Sequence, residues 1–213
     1  MTWYLGLVSP ANAVIVYTYD FPGSPGSGLA ANQTGPQPAN GSFSDFVRVN
    51  LNSSAGAGVF TSSNWNQTGI IDTTQYVGFS IAADASYHLE LTDLVFDARI
   101  SATGPADTRV ALFVNGSSTA YATLDIAPTS TVTTYAFDFT DLTAADNATT
   151  VDVRFYGYNA GGAGGTLLLD NVVTSGVITN VPEFEPAWLA FFVIAVSLLA
   201  EHRRARRVRT PRN

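Results

Sequence analysis

The chain has no cysteine and no lysine, and of its 213 residues only His88 and His202 are histidine. Without cysteine there are no disulfide staples, no zinc–thiolate sites and no thiol nucleophile. Without lysine there is no Schiff-base chemistry and no Walker-type phosphate loop. Charge is also scarce: Asp, Glu and Arg make up 13% of the residues, about half the usual ~25%. A composition that is 46% hydrophobic and 12% aromatic is too apolar for a disordered chain. The length allows one domain of ordinary size plus terminal segments.

The charge that is present is segregated. Six of the ten arginines (Arg203, Arg204, Arg206, Arg207, Arg209 and Arg212) fall in the last eleven residues. Between Val14 and Asn180 stand only Arg48, Arg99, Arg109 and Arg154 against fourteen Asp and Glu, a net −10. Such a body repels phosphate backbones and anionic head groups, so no nucleic acid is expected as a partner.

The two ends read as export and anchoring. Residues 1–13, MTWYLGLVSPANA, close on Ala11-Asn12-Ala13, the small-x-small pattern of a signal-peptidase site. The apolar stretch before it, Trp3–Val8, is short and has no basic flank. The expectation is a partial signal peptide whose start lies upstream; the alternative is a first strand. At the other end Ala187–Ala200, AWLAFFVIAVSLLA, runs fourteen residues without a charge. As a helix it spans about 21 Å against a hydrocarbon core of ~30 Å. It is apolar all round, Trp188 stands at one end, and Arg203 and Arg204 can snorkel at the other. A single C-terminal transmembrane helix is expected, with Arg203, Arg204, Arg206 and Arg207 as cytoplasmic anchor and the body outside; a packed terminal helix is the alternative.

Val181-Pro182-Glu183, the apolar run and the arginine cluster together resemble the PEP-CTERM sorting signal of exported bacterial proteins. Phe184 stands where that family usually has proline, and the next proline is Pro186. The resemblance covers residues 181–209. It implies recognition by an exosortase, a membrane transpeptidase that processes the tail near the motif, and a Gram-negative source that makes exopolysaccharide. The expected organisation is a partial signal peptide over 1–13, an ectodomain over 14–180 and a sorting signal over 181–213.

The ectodomain alternates with period two. Runs over Val14–Phe21, Phe46–Leu51, Tyr76–Ala82, Tyr87–Ser101, Thr108–Val114, Tyr121–Ile126, Thr131–Phe139, Thr150–Tyr158 and Thr166–Thr174 are separated by Gly, Pro, Asn, Asp and Ser. Asn115-Gly116 is a hairpin signal. The fold class is therefore all-β, an antiparallel, jelly-roll-like β-sandwich. In Tyr87–Ser101 the apolar parity switches at Thr92-Asp93, which requires a bulge or two separate strands. Pro22–Ser42, rich in Gly, Pro, Ser and Asn, is expected as a long surface loop.

Candidate sites are few. On Thr150–Tyr158 the residues Asp152, Arg154, Tyr156 and Tyr158 face away from Val151, Val153 and Phe155. Flat aromatics beside a guanidinium and a carboxylate suit a sugar ring, with stacking below and hydrogen bonds at its edges. Alternatively these tyrosines pack under a loop or line a solvated strand. Trp65, between Asn64 and Asn66, is a second platform candidate unless it tucks into the core. Asp20 and Asp170 lie near the beginning and end of the sandwich. The arrangement is similar to carbohydrate-binding jelly rolls that hold structural Ca²⁺ between first and last strands, with carbonyls and water completing six to eight oxygens.

His88 and Glu90 share a strand face, without an accompanying nucleophile; a solvated face is expected there. Asp97 and Arg99 are expected as a same-face ion pair. Six Asn-x-Ser/Thr triplets, from Asn32 to Asn147, fit polar loop composition. The reading that results is a non-catalytic exported surface or matrix protein associated with exopolysaccharide. The alternatives are a secreted hydrolase using carboxylates and a purely structural envelope protein.

Overall fold

The computed structural model describes residues 13–22, 30–31, 36–142 and 146–181. These belong to the unit Met1–Asn180, apart from Val181, the first residue of the unit Val181–Asn213. Residues 1–12 of the expected signal peptide, Pro182 and Glu183 of the expected sorting motif, the apolar run and the arginine cluster lie outside the described residues. Among the described residues there is no helix long and apolar enough to cross a membrane.

Every described element is a strand. In chain order they are β1 (Ala13–Tyr19), β2 (Ala30–Ala31), β3 (Gly41–Phe43), β4 (Phe46–Val49), β5 (Asn52–Ser53), β6 (Phe60–Ser63) and β7 (Tyr76–Ala83). Then follow β8 (Tyr87–Ile100), β9 (Pro105–Val114), β10 (Ala122–Ile126), β11 (Thr133–Asp138), β12 (Thr150–Ala160) and β13 (Thr166–Asn180). All nine runs of period-two alternation form strands. The Gly- and Pro-rich stretch expected as a loop instead contributes β2 and β3. Phe43 accounts for β3: it is buried, and its strand pairs with β7 at Ile81.

Two antiparallel sheets pack face to face. Sheet I runs β11-β8-β13-β6-β5, and β1 also pairs with β13. Sheet II runs β10-β9-β12-β7-β4-β2, and β3 also pairs with β7. Among the eight strands of five or more residues, sheet I reads first-eighth-third-sixth and sheet II second-seventh-fourth-fifth. That is the order of a jelly roll, in which two interlocked keys place the first and last strands side by side.

The core between the sheets is aromatic at one end. Tyr17 stacks on Phe43 at 4.1 Å between ring centroids, and Phe46 meets Phe60 edge-on at 4.8 Å. The Tyr19 hydroxyl donates to the Ser44 carbonyl at 2.6 Å, so burial of that ring leaves no orphan donor. Arg48 also enters the core, its guanidinium 3.7 Å from the centre of the Phe60 ring and donating to the Thr61 carbonyl and Ser62 Oγ.

The parity switch of β8 is a bulge within one continuous strand. Gly176 pairs with Leu91 and Ser175 with Asp93, leaving Thr92 unopposed. A second bulge sits on β13, where Asp170 pairs with Asp97 and Val173 with Val95; the added residue Asn171 takes a φ of 46°. The two bulges act in opposite senses, so the register beyond one is restored by the other. At Asn115-Gly116 both φ angles are positive and the Ser117 N–H donates to the Val114 carbonyl, the geometry of a type I′ turn.

Candidate functional site

The outer face of sheet II carries the arrangement with the clearest chemistry. Val151, Val153 and Phe155 of β12 fill the core, so Asp152, Arg154, Tyr156 and Tyr158 point outward. Register then fixes the neighbours. Asp152 lies between Ser80 of β7 and Phe113 of β9, and Arg154 between Gly78 and Ala111. Gly78 and Ala111 offer no bulk on either flank, so the guanidinium settles on the rings diagonal to it. Its central carbon is 4.4 Å from the Phe113 ring centre and 4.8 Å from that of Tyr76.

Hydrogen bonds hold the arrangement. Arg154 Nη2 donates to Asp152 Oδ2 at 3.2 Å, and Ser80 Oγ donates to Asp152 Oδ1 at 2.6 Å. Ser44 Oγ accepts the Ser80 N–H at 2.8 Å. Burial pulls the Arg154 pKa down, but Tyr156, Tyr76 and Asp152 outweigh it and hold the guanidinium above its usual range. Ser44, Val47, Tyr76, Gly78, Ser80, Asp152 and Arg154 line a shallow depression of about 270 Å³ that opens to solvent. Its floor is backbone, because Gly78 has no side chain to fill it.

The other predicted platforms are placed differently. Tyr156 points to the predicted face but is only 3% exposed. It is packed with Ala111 and Phe113 and covered by Ile71, Tyr76 and Ala120. Burial raises its pKa, against the opposing pull of Arg154. It supports Tyr76, at 5.8 Å between ring centroids, and does not itself present a flat surface. Tyr158 lies further along β12, opposite Asp107. Burial raises its pKa, Asp125 and Asp107 add to the effect, and Arg109 opposes it.

Trp65 is 2% exposed and belongs to the core. Its Nε1–H donates to the Ser62 carbonyl at 2.8 Å, and the ring lies against Gly157, where a Cβ would fall 2.8 Å from it. This corrects its assignment as a platform: the polar residues flanking it line the loop above while the indole anchors that loop. Tyr76 is the aromatic that the sequence reasoning passed over. Its signal is present, since it shares parity with Gly78 and Ser80 while Val77, Phe79 and Ile81 are buried.

Asp20 follows Tyr19, whose partner on β13 is Val172, two residues beyond Asp170. Burial raises the Asp170 pKa, the Asn171 N–H opposes this, and Asp97 and Asp20 both raise it further. Among the described residues no group of three or more His, Asp or Glu is placed to hold a metal ion. Asp97 is not paired with Arg99. Its carboxylate accepts from Thr134 Oγ1 at 2.5 Å and Asn171 Nδ2 at 2.9 Å, donors on the two flanking strands. His88 has company that the sequence did not reveal: Thr179 of β13 brings its hydroxyl to His88 Nε2 and also donates to Glu90 Oε1 at 3.1 Å. Glu90 meets that same Nε2 at 3.1 Å. A nucleophile–base–acid relay needs the two ring nitrogens to serve different partners, so this trio is a hydrogen-bonded knot.

No family model matches the chain, and no curated protein matches it. Solved structures that are similar include one described as "CBM4 structure and function", at a TM-score of 0.48 and 16% identity over 62% of this chain and 86% of that one. A family 29 carbohydrate binding module from Piromyces equi gives 0.42 and 12%, over 78% and 89%. A family 11 carbohydrate-binding module from Clostridium thermocellum, in complex with a β-1,3-1,4-mixed-linked tetrasaccharide, gives 0.39 and 15%, over 75% and 94%. At these scores the likeness is one of outline.

Proposed function

We propose that this is an exported, membrane-anchored surface protein whose sandwich is a non-catalytic glycan-binding module, with the ligand seated on the outer face of sheet II. Export and anchoring rest on the sequence: the small-x-small site, the apolar run and the arginine cluster, with exosortase processing as the fate of the tail. Exopolysaccharide is the partner consistent with that location.

The observation that carries the binding role is Arg154, its guanidinium packed over the rings of Phe113 and Tyr76 beside an open backbone floor. A guanidinium edge supplies donors, Asp152 supplies an acceptor, and Tyr76 supplies apolar surface to the wall of the depression. Those three chemistries side by side are what a sugar presents to a protein in reverse. The hydrolase alternative needs two carboxylates about 5–9.5 Å apart across the scissile bond. Among the described residues lining the depression Asp152 is the one carboxylate, and Ser80 and Arg154 already engage it.

The test is binding of the full-length protein, in detergent, to a glycan panel. Arg154→Ala should abolish retention while leaving the thermal melt within a few degrees. Turnover of a polysaccharide, or binding unchanged in Arg154→Ala, would count against the reading. Protease added to intact cells should digest the sandwich; a protected sandwich would sink the export half.

A further inference from the structure

We infer that the ligand of this face is an uncharged glycan, recognised through its hydroxyl groups; this rests on the glycan-binding reading above and narrows it. Recognition of a uronate, sulfate or phosphate calls for a guanidinium fork with both prongs open. Neither arginine that points outward on this face offers a fork free of a carboxylate partner.

Arg109, the nearest alternative on this face, spends its fork on Asp125: Nε donates to Oδ1 at 2.6 Å and Nη2 to Oδ2 at 2.7 Å. Arg154 has its charge met by Asp152 and its guanidinium packed over the rings of Tyr76 and Phe113. Arg48 is turned into the core toward Thr61 and Ser62, and Arg99 belongs to the other sheet. The outward-facing charges of β9, β10 and β12 are Asp107, Asp125 and Asp152 against Arg109 and Arg154, so the face itself is net negative.

Behind it stands a body of net −10 between residues 14 and 180. A polyanion therefore meets repulsion at long range and no unpaired cation at contact. Hydroxyl groups face no such barrier. The depression offers them the Asp152 carboxylate, the Ser80 and Ser44 hydroxyls and the edge of Arg154.

The test is affinity electrophoresis of the full-length protein in detergent against a neutral glucan, a neutral mannan, alginate and polygalacturonate, at low and moderate salt. A neutral polymer should retard the protein, with an affinity that changes less than about twofold with salt; the two polyuronates should not. Asp125→Asn, which frees the Arg109 fork, should create salt-sensitive retardation by alginate. Retardation of the wild type by a polyuronate, weakening as salt is added, would overturn the neutral assignment and leave glycan binding standing. If no carbohydrate on a broad panel is bound, the glycan-binding reading itself fails and this inference falls with it.

Discussion

Gly78 lies directly across the β7–β12 pair from Arg154, so the guanidinium has no side chain beside it on that flank. The position tolerates nothing larger: a Cβ there would stand 2.1 Å from the Val153 carbonyl oxygen. The glycine thus both permits the close strand approach and opens the floor of the depression. Arg154→Lys separates charge from shape. Lysine keeps the cation but has no planar group to pack over Tyr76 and Phe113, nor a planar edge to present. Ligand affinity should fall about tenfold or more, with a stability loss of about 1 kcal/mol from the stacking given up. Calorimetric titration and thermal melts measure the two; a lysine variant that binds like the wild type would show that charge alone suffices.

Trp65 should behave as a core residue. Trp65→Phe removes the donor to the Ser62 carbonyl and part of the buried ring, which should destabilise the protein by about 1–3 kcal/mol. Glycan affinity should stay within twofold of wild type, because the indole does not reach the face. Denaturant unfolding beside a binding titration reads both numbers. Lost affinity at unchanged stability would return the tryptophan to the binding surface.

Asp170 makes a pH-dependent prediction. Its pKa is raised in the folded state by burial and by the carboxylates of Asp97 and Asp20, against the pull of the Asn171 N–H. A carboxyl whose folded pKa exceeds its unfolded one contributes most stability below the unfolded value, about 4, and loses it as pH rises through the folded value. Asp170→Asn should therefore raise the melting temperature at pH 7 and make no difference near pH 3. A variant that melts lower at pH 7 would mean that the ionised carboxylate has a favourable partner, and repeating the melt with EDTA and with calcium would name it.

How far the sequence carried the structure depended on how local each feature is. Long strands were legible because Ile15, Tyr17 and Tyr19, or Val151, Val153 and Phe155, alternate over several turns of the pleat. β2, β3 and β5 were not, since two or three residues carry no period, and β6 was not because Phe60, Thr61 and Ser62 are all buried and do not alternate. The bulge at Thr92 showed as a parity switch, whereas the matching one at Asn171 was hidden by aliphatic residues of both parities in Leu167-Leu168-Leu169 and Val172-Val173. At the site, the outward direction of Arg154 and Tyr156 followed from alternation. The covering of Tyr156 did not, because it comes from Ile71 and Ala120, and the inward turn of Trp65 comes from a space left by Gly157. Both are decided by residues distant in the chain.

The bulges themselves allow a sharp comparison of two deletions. Thr92 is the residue of β8 without a partner on β13, and it is what lets Leu91 and Leu94 both face inward. Deleting it leaves Leu89, Leu91, Leu94, Phe96 and Ala98 in strict alternation, so the core face survives. The loss is the bond from the Phe139 N–H to the Thr92 carbonyl, at 2.8 Å, and some local twist. A cost of about 1–2 kcal/mol follows from one hydrogen bond and its desolvated partner. Deleting Val95, three residues on, instead makes Leu94 and Phe96 adjacent, so the core face keeps either Leu94 or the pair Phe96 and Ala98, never all three. That variant loses at least one fully buried leucine and should be destabilised by about 2–5 kcal/mol, well beyond the Thr92 deletion. Circular dichroism melts of the two deletions decide the matter: equal destabilisation would mean that Thr92 holds the strand in register by something other than its surplus position.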